Sequence, residues 1–527
     1  MKTTINIFLL AVLFGLVIAP SAQCDSEDEF TPALVQDLSQ DGFQVSQGHT
    51  ALYALENCFD NTYPAFKNCL QANPAAPYIV PVMKSWPDEY VDPATENAFV
   101  DTDPGYSVTY RLDPREAILI YGKMPPPGRY MGLQTMEFSH HGKWKTKDYM
   151  QWANTPNLTF PIQYLFNLIP PDDPKSKRIL SLSSLGDSIN NVIMEKQIDE
   201  SPFEKFLFFI ISPSSSTDKA VRDALNNLGI DEKFIFTQQI PDRDDLGPIG
   251  PLGMGKNAID FFTAFRYAVP DPEYSEAAGS WRENPPLKVL RVRAPESLGP
   301  VKRFGKMSFG ERTANFDENN LAGDLQELVQ AVCSDVEDNT SLTSPDCETP
   351  LPASSIMAES VKDFGWTGPY CRNVDMYCGD QTEAAYWFST PRPTATGQVF
   401  AIVGTLGTET NNAVYVGLSA NDASTMGGVP KGTLLDTQLK GSADTYASDV
   451  YNTNMFFVRY FTKDCSVLQE VPGGGNCTRI SDMPIAGDPD LQDVVIFSLR
   501  DYIAPGTALG PDPYKVLAPR IIMFQPE

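Results

Sequence analysis

Histidine is almost missing from this chain. Three occur in 527 residues, His49, His140 and His141, all in the first third. That scarcity bears on the triplet Gly186-Asp187-Ser188, in "LSSLGDSINNV" (182–192), which matches the nucleophile motif of two serine-hydrolase types. A serine without a base remains a weak nucleophile near neutral pH. GDSL-type esterases take that base from a histidine close to the C-terminal end, and here no histidine follows Ser188. Trypsin-like proteases place histidine before serine, but continue the triplet with two glycines whose N–H groups build an oxyanion hole. This chain continues Ile189-Asn190-Asn191. The triplet therefore reads as a turn, with Asp187 or Asn190 capping the next element of the chain.

Other absences exclude more. No CxxC occurs, so with so little histidine a zinc site is not expected. His140-His141, in "MEFSHHGKW" behind Glu137, is the one place a metal reading arises, but adjacent strand residues point to opposite faces and only one can join a given site. Basic residues are few, 40 Lys and Arg against 67 acids, giving a net charge of −27. Nucleic acid and anionic membranes need Lys and Arg to displace counterions, so neither is an expected partner. The stretch "DRDDLG" (242–247) lacks an acid at the fifth position and the later glutamate of a calcium loop. "GPLGMGKN" (250–257) fits GxxxxGK, yet Pro251 removes a donor and Asn257 replaces the hydroxyl that magnesium requires. No cofactor is expected.

Only one long apolar run exists, Ile7 to Ala19. It follows Lys2, precedes "PSAQ", and is too short to span a bilayer comfortably. Residues 1–23 have the layout of a secretory signal peptide, so the mature chain is expected to be secreted, extracellular and without a transmembrane segment. Their removal takes one lysine and no acid, moving the charge from −27 to −28. High acidity suits solubility outside the cell.

Cysteine, by contrast, is plentiful for an exported chain. Eight of the nine fall into close pairs, Cys58 and Cys69, Cys333 and Cys347, Cys371 and Cys378, Cys465 and Cys477. Neighbour pairing as disulfides is the expectation, with Cys24 left over. Asn157, Asn339 and Asn476 begin N-x-S/T triplets and are candidate glycosylation sites.

The pattern of apolar runs predicts an α+β protein. Strands are expected at 106–112, 116–122, 129–138 and 178–184, and helices at 257–270 and 319–332. Residues 203–241 chain an apolar run, an amphipathic helix capped by Thr217, and a second apolar run, which predicts a βαβ crossover. Beyond residue 380, six strand-like runs, "AAYWFST", "QVFAIVGTL", "NAVYVGLSA", "NMFFVRYFT", "DVVIFSLRDY" and "RIIMFQ", alternate with turn residues. The division expected is a mixed α/β domain at 24–332, a disulfide-bearing linker at 333–365 and an all-β, sandwich or jelly-roll-like domain at 366–527.

At "AILIYGKMPPPGRYMGLQTMEFS" (117–139), "SLGDSINN" (184–191), "GSADTY" (441–446) and "LRDYIAPGTALGP" (499–511) the chain resembles a family of uncharacterised secreted proteins. The resemblance implies no activity; it implies that Arg129, Tyr130, Asp187 and Asn190 share one neighbourhood. The Ser-rich loop Ser212 to Thr217, with Ser214, Ser215, Ser216 and Thr217 leading into the helix, is where an open α/β sheet binds ligands and where a helix end favours an anion. The candidate ligand-site residues are these, with His140, His141 and Ser188. The expected function is binding of extracellular material such as carbohydrate. The alternatives are a carboxylate-using extracellular hydrolase and a structural wall or matrix glycoprotein.

Overall fold

The run Phe206–Ser212 has no polar alternation because both of its faces are covered. Leu207, Phe209 and Ile211 enter one core while Phe208 and Ile210 enter another on the opposite side. In the computed structural model, which describes residues 27–526 except 67, 71–72, 74–75, 94, 144, 146–176, 350, 380–381, 424 and 481–493, this run lies in a large mixed sheet. Its strands are β1 (Gln44–Tyr53), β2 (Tyr78–Lys84), β3 (Tyr106–Ser107), β4 (Glu116–Lys123), β5 (Gly128–His141), β6 (Arg178–Ser184), β7 (Ile189–Asn190), β8 (Phe206–Ser212), β9 (Ile235–Gln239), β10 (Asp260–Pro270) and β11 (Leu287–Arg293). Their order is β6-β5-β10-β2-β1-β11-β4-β8-β9, with β3 beside β2 and β7 beside β5. Phe265 of β10 meets Phe209 of β8 at 6.3 Å between ring centroids, although four strands separate them in the sheet, so the sheet curls over its own inner face.

The helices that frame the site and cover the sheets are α1 (Glu27–Gln40), α2 (Asn191–Ile198), α3 (Ser215–Asn227), α4 (Ser275–Glu283), α5 (Ala322–Asn339), α6 (Ser360–Phe364) and α7 (Gly368–Asn373). Strands β8 and β9 pair in parallel with α3 between them, the expected crossover. Val221, Ala224 and Leu225 of α3 share the outer core with Phe30, Leu34 and Leu38 of α1. The cap of α3 is Ser214, whose side chain accepts from Thr217 N, and not Thr217 itself.

The helix expected at 257–270 is instead β10. Phe261, Phe265 and Tyr267 belong to one core and Phe262 and Ala264 to the other, a period of two with both faces buried. Apolar residues on both faces also satisfy i, i+3, i+4 spacing, so periodicity could not separate the two forms. The strand expected at 106–112 shortens to β3 plus a bridge from Tyr110 to Phe261.

The second half supplies β12 (Leu342–Thr343), β13 (Ala358–Glu359), β14 (Ala384–Phe388), β15 (Arg392–Pro393), β16 (Val399–Thr405), β17 (Tyr415–Asp422), β18 (Gly427–Leu435), β19 (Phe456–Thr462), β20 (Cys477–Arg479), β21 (Val494–Tyr502) and β22 (Arg520–Pro526). Two sheets form, β12-β22-β16-β19-β20 and β13-β14-β21-β17-β18, the latter with β15 beside β21. Phe400, Ile402 and Phe461 from the first interlock with Leu418, Phe497 and Leu499 from the second, which is a β-sandwich. Helix α5 covers the outer face of the first sheet through Leu325, Leu328, Val329 and Val332. It belongs by packing to the second half, so residue 333 falls inside a helix and not at a linker's start. A further core is common to both halves, with Phe138, Leu182 and Phe262 packed among Trp366, Met376, Met426 and Ile496.

The four neighbouring cysteine pairs are disulfides, Cys58–Cys69, Cys333–Cys347, Cys371–Cys378 and Cys465–Cys477. Among the described residues no helix is long and apolar enough to cross a membrane. Phe497 lies at the sandwich centre, 4.9 Å from Phe461 and 5.4 Å from Phe400 between centroids. Phe497→Ala is expected to lower unfolding stability by about 3–5 kcal/mol in urea titration.

Candidate functional site

The triplet Gly186-Asp187-Ser188 forms the turn between β6 and β7, and each residue has a structural task. A Cβ at Gly186 would lie 2.0 Å from Met307 Sδ, so glycine lets the extended segment 299–316 cross the turn. Asp187 Oδ2 accepts from Gly310 N of that segment at 2.9 Å. Ser188 is buried, and its Oγ accepts from Asn190 Nδ2 at 3.4 Å. Asn190 also donates to Ala508 O at 2.8 Å and accepts from Ile193 N, which caps α2. Neither nitrogen of His140 is directed at Ser188: Nδ1 meets Glu137 Oε1 at 2.6 Å and Nε2 meets Asp375 Oδ1 at 2.9 Å.

Above this turn a cleft of ≈ 400 Å³ opens between the two halves. Leu246, Phe309, Val361, Pro369 and Leu509 line it with carbon. Asp187, Arg312, Thr367 and Thr382 bring polar atoms to the same space. Arg312 Nη1 donates to Ala384 O at 2.6 Å, which brings its guanidinium beside the cleft from the 299–316 segment. Two atoms stand out because they are buried and make no hydrogen bond, Asp187 Oδ1 and Thr382 Oγ1. Buried polar atoms are nearly always paired, so an orphan acceptor and an orphan hydroxyl on two side chains of the cleft lining are hydrogen-bonding capacity left unused behind the cleft surface. Burial lifts the Asp187 carboxyl above its ordinary value, against the pull of Gly310 N–H and Arg312 and with a push from Glu383.

Thr382 is held in place through its neighbour. Glu383 is fully buried and pairs with Arg266 of β10 while accepting from Tyr130 Oη at 2.5 Å. Its backbone carbonyl accepts from Ile503 N at 2.8 Å, and Gly510 N donates to Thr382 O at 3.0 Å. Tyr130 lies 5.9 Å from both Tyr415 and Tyr502, which stack on each other at 4.4 Å. Burial, opposed by Arg266 and joined by the charge of Glu383, holds the proton on the Tyr130 hydroxyl well above the usual phenol range. Arg129, one residue earlier, pairs with Asp436 at 2.6 Å. Pairing of Gly132 with Asn190 across β5 and β7, and Met131 N donating to Asn191 Oδ1 at 3.2 Å, bring the Arg129–Tyr130 strand beside the turn.

The remaining candidates lie elsewhere. His140 sits in an ion cluster with Glu137 and Asp375, and Asp375 Oδ2 also takes Lys143 N at 2.7 Å. Arg372 of α7 joins through Glu137 Oε2 at 3.9 Å and is itself held by Asp244 and by Ser184 O, to which it donates at 2.7 Å. Cys371–Cys378 closes the loop that carries Arg372 and Asp375. His141 is exposed at the strand end, its pKa lowered by partial burial and by Arg178 and Lys177. In the Ser-rich loop the hydroxyls are spent internally: Ser214 on Thr217, Ser216 on Ser214 at 2.9 Å, and Ser215 on Lys302 O at 3.0 Å. The 299–316 segment covers that helix end, Ser215 N donating to Lys302 O at 2.8 Å and Phe304 N to Pro213 O at 3.2 Å, and the cleft lies instead beside the turn that follows β6, at the other end of the sheet order from β9. Asn339 is exposed at the end of α5; Asn476 is half-buried and donates to Ser442 O at 3.0 Å; Asn157 and Cys24 lie outside the described residues.

Thr382, Glu383, Arg312 and Asp375 had no periodic signal in the sequence, coming from two aperiodic loops, one around 312 and one at 375–383. Only the seven-residue spacing of Cys371 and Cys378 could have pointed toward Asp375.

His140 also gives a pH test. Burial pulls its imidazolium pKa down, but Glu137 and Asp375 outweigh that and raise it from 6.5 to about 9. Its stabilisation is therefore complete below the unfolded value and is lost as pH rises through the folded one. Urea titration should show wild type losing stability between pH 7 and 10. His140→Gln should be less stable by about 1.5–3 kcal/mol at pH 6 and should lose most of that slope.

No family model matches the chain, and no curated protein matches it. Among solved structures, an uncharacterized protein from Burkholderia cenocepacia is similar at 10% identity and a TM-score of 0.35, over 94% of this chain and 95% of that one. The VPA0106 protein from Vibrio parahaemolyticus is similar at 9% identity and a TM-score of 0.32, over 78% of this chain and 87% of that one.

Proposed function

We propose that this is a secreted binding protein that takes carbohydrate into the cleft above Asp187. The observation that carries the reading is that two residues of the cleft lining, Asp187 and Thr382, each hold a buried oxygen without a hydrogen-bond partner, Oδ1 and Oγ1. Both oxygens are closed off from the cleft surface, so binding turns the two side chains into the cleft, where a sugar hydroxyl donates to the first and exchanges a hydrogen bond with the second while its C–H face rests on Phe309. The ≈ 400 Å³ of the cleft falls in the range of small-ligand sites. The signal-peptide layout of residues 1–23, four disulfides and an exposed sequon at Asn339 support an extracellular setting.

Glycoside hydrolysis needs two carboxyl groups flanking one bond. Besides Asp187 the cleft offers Asp245, which is exposed and engaged with Lys306. Binding is the better supported reading.

Calorimetric titration with a panel of neutral sugars tests it. Asp187→Asn and Thr382→Val should each weaken binding by about tenfold or more, the cost of leaving a buried partner unsatisfied. Ser188→Ala should bind as wild type. Sugar binding indifferent to both cleft substitutions would refute the site.

A further inference from the structure

We infer that the ligand is a neutral glycan chain, with one sugar in the cleft and the following sugars lying across a rim of exposed rings at Phe364 and Tyr370. The inference rests on the carbohydrate reading and adds the length and charge of the ligand. Val361 of α6 lines the cleft, and Phe364, three residues on, shares its helix face. Gly365 then takes a left-handed conformation at φ 67°, its N–H donating to Val361 O at 2.9 Å, and turns the chain back. Trp366 is thereby folded against Phe364, with centroids 4.5 Å apart and planes 18° from parallel. One face of Phe364 is fixed on buried Trp366, and the side chain is still 41% exposed. Pro369 of α7 lines the cleft too, and Tyr370 beside it is also 41% exposed. Leu246, which also lines the cleft, is 53% exposed.

Phe364 and Tyr370 each lie within three residues of a side chain that lines the cleft, and exposed apolar side chains clustered near a cavity mark a contact surface more than ones scattered singly. A ring already held by stacking loses little freedom when a second flat partner settles on it. Sugar rings present flat C–H faces, and a chain of them presents one after another at the spacing of its linkages. Charge selects among chains. The protein carries 67 acids against 40 basic residues, and although Arg312 lines the cleft beside Asp187, and Asp245 is paired with Lys306, the field around the site is that of a strongly acidic protein, which disfavours uronate or sulfated glycans.

The test is calorimetry on the full disulfide-bonded protein with glucose, xylose, mannose and N-acetylglucosamine, each as monomer through hexamer. A galacturonate hexamer and an apolar hexapeptide complete the set. For one neutral series, affinity should rise about tenfold or more from monomer to trimer and then level off. Phe364→Ala and Tyr370→Ala should abolish that rise and leave monomer affinity within about twofold of wild type, with both variants still folded at the assay temperature although Phe364→Ala loses its stack on Trp366 and unfolds at a somewhat lower temperature. The galacturonate hexamer should bind at least about tenfold more weakly than the matching neutral hexamer. Monomer binding that does not increase with length, or a rise that survives both ring substitutions, would overturn the inference and leave the cleft reading standing. Failure of every sugar to bind would overturn both, and binding of the hexapeptide alone would assign the rim to protein partners.

Discussion

A carboxylate buried away from water must find its counter-charge, and Glu383 finds it across the junction of the two halves. Arg266 of the first sheet and Tyr130 beside it supply charge and hydrogen bond, with Tyr415 and Tyr502 packed around them. A buried pair of this kind adds little net stability over a well-packed apolar contact, whereas an unpaired member costs several kcal/mol. Glu383 therefore acts by specificity: it fixes how β14 of the second half meets β5 and β10 of the first. Everything in the cleft depends on that register. Thr382 precedes the clamp, and Ala384, whose carbonyl takes Arg312, comes directly after it.

The sequence motif that invites a hydrolase reading turns out to serve this junction. Gly186 leaves room for Met307, Asp187 ties down Gly310 with one oxygen and keeps the other buried without a partner, and Asn190 caps α2 while reaching Ala508. The same constraint that made a nucleophilic serine implausible, the scarcity of histidine, is consistent with where the imidazole went. His140 is a charged structural member between Glu137 and Asp375, with no lone pair to spare for catalysis.

Much of the architecture was legible before the structure. The crossover at 203–241, the sandwich strands from "AAYWFST" to "RIIMFQ" and the four disulfides depend on local pattern and on cysteine spacing, which sequence carries directly. β10 was not legible, because a strand buried on both faces obeys no period of its own. The assignment of α5 to the second half was hidden for another reason: which sheet an amphipathic helix covers is a tertiary choice. Of the cleft, Asp187 was within reach of sequence reading, through its neighbours in the "SLGDSINN" stretch. Thr382 and Arg312 were not, since loops converge through packing and leave no spacing to read.

The direct test of the clamp is a double-mutant cycle in urea with Glu383→Gln, Arg266→Met and both together. The account predicts that each single change costs about 3–5 kcal/mol and that the pair costs clearly less than their sum, because the second change relieves the charge stranded by the first. Additive losses would mean that Glu383 and Arg266 act independently, and the proposed basis for the junction and its cleft would be wrong.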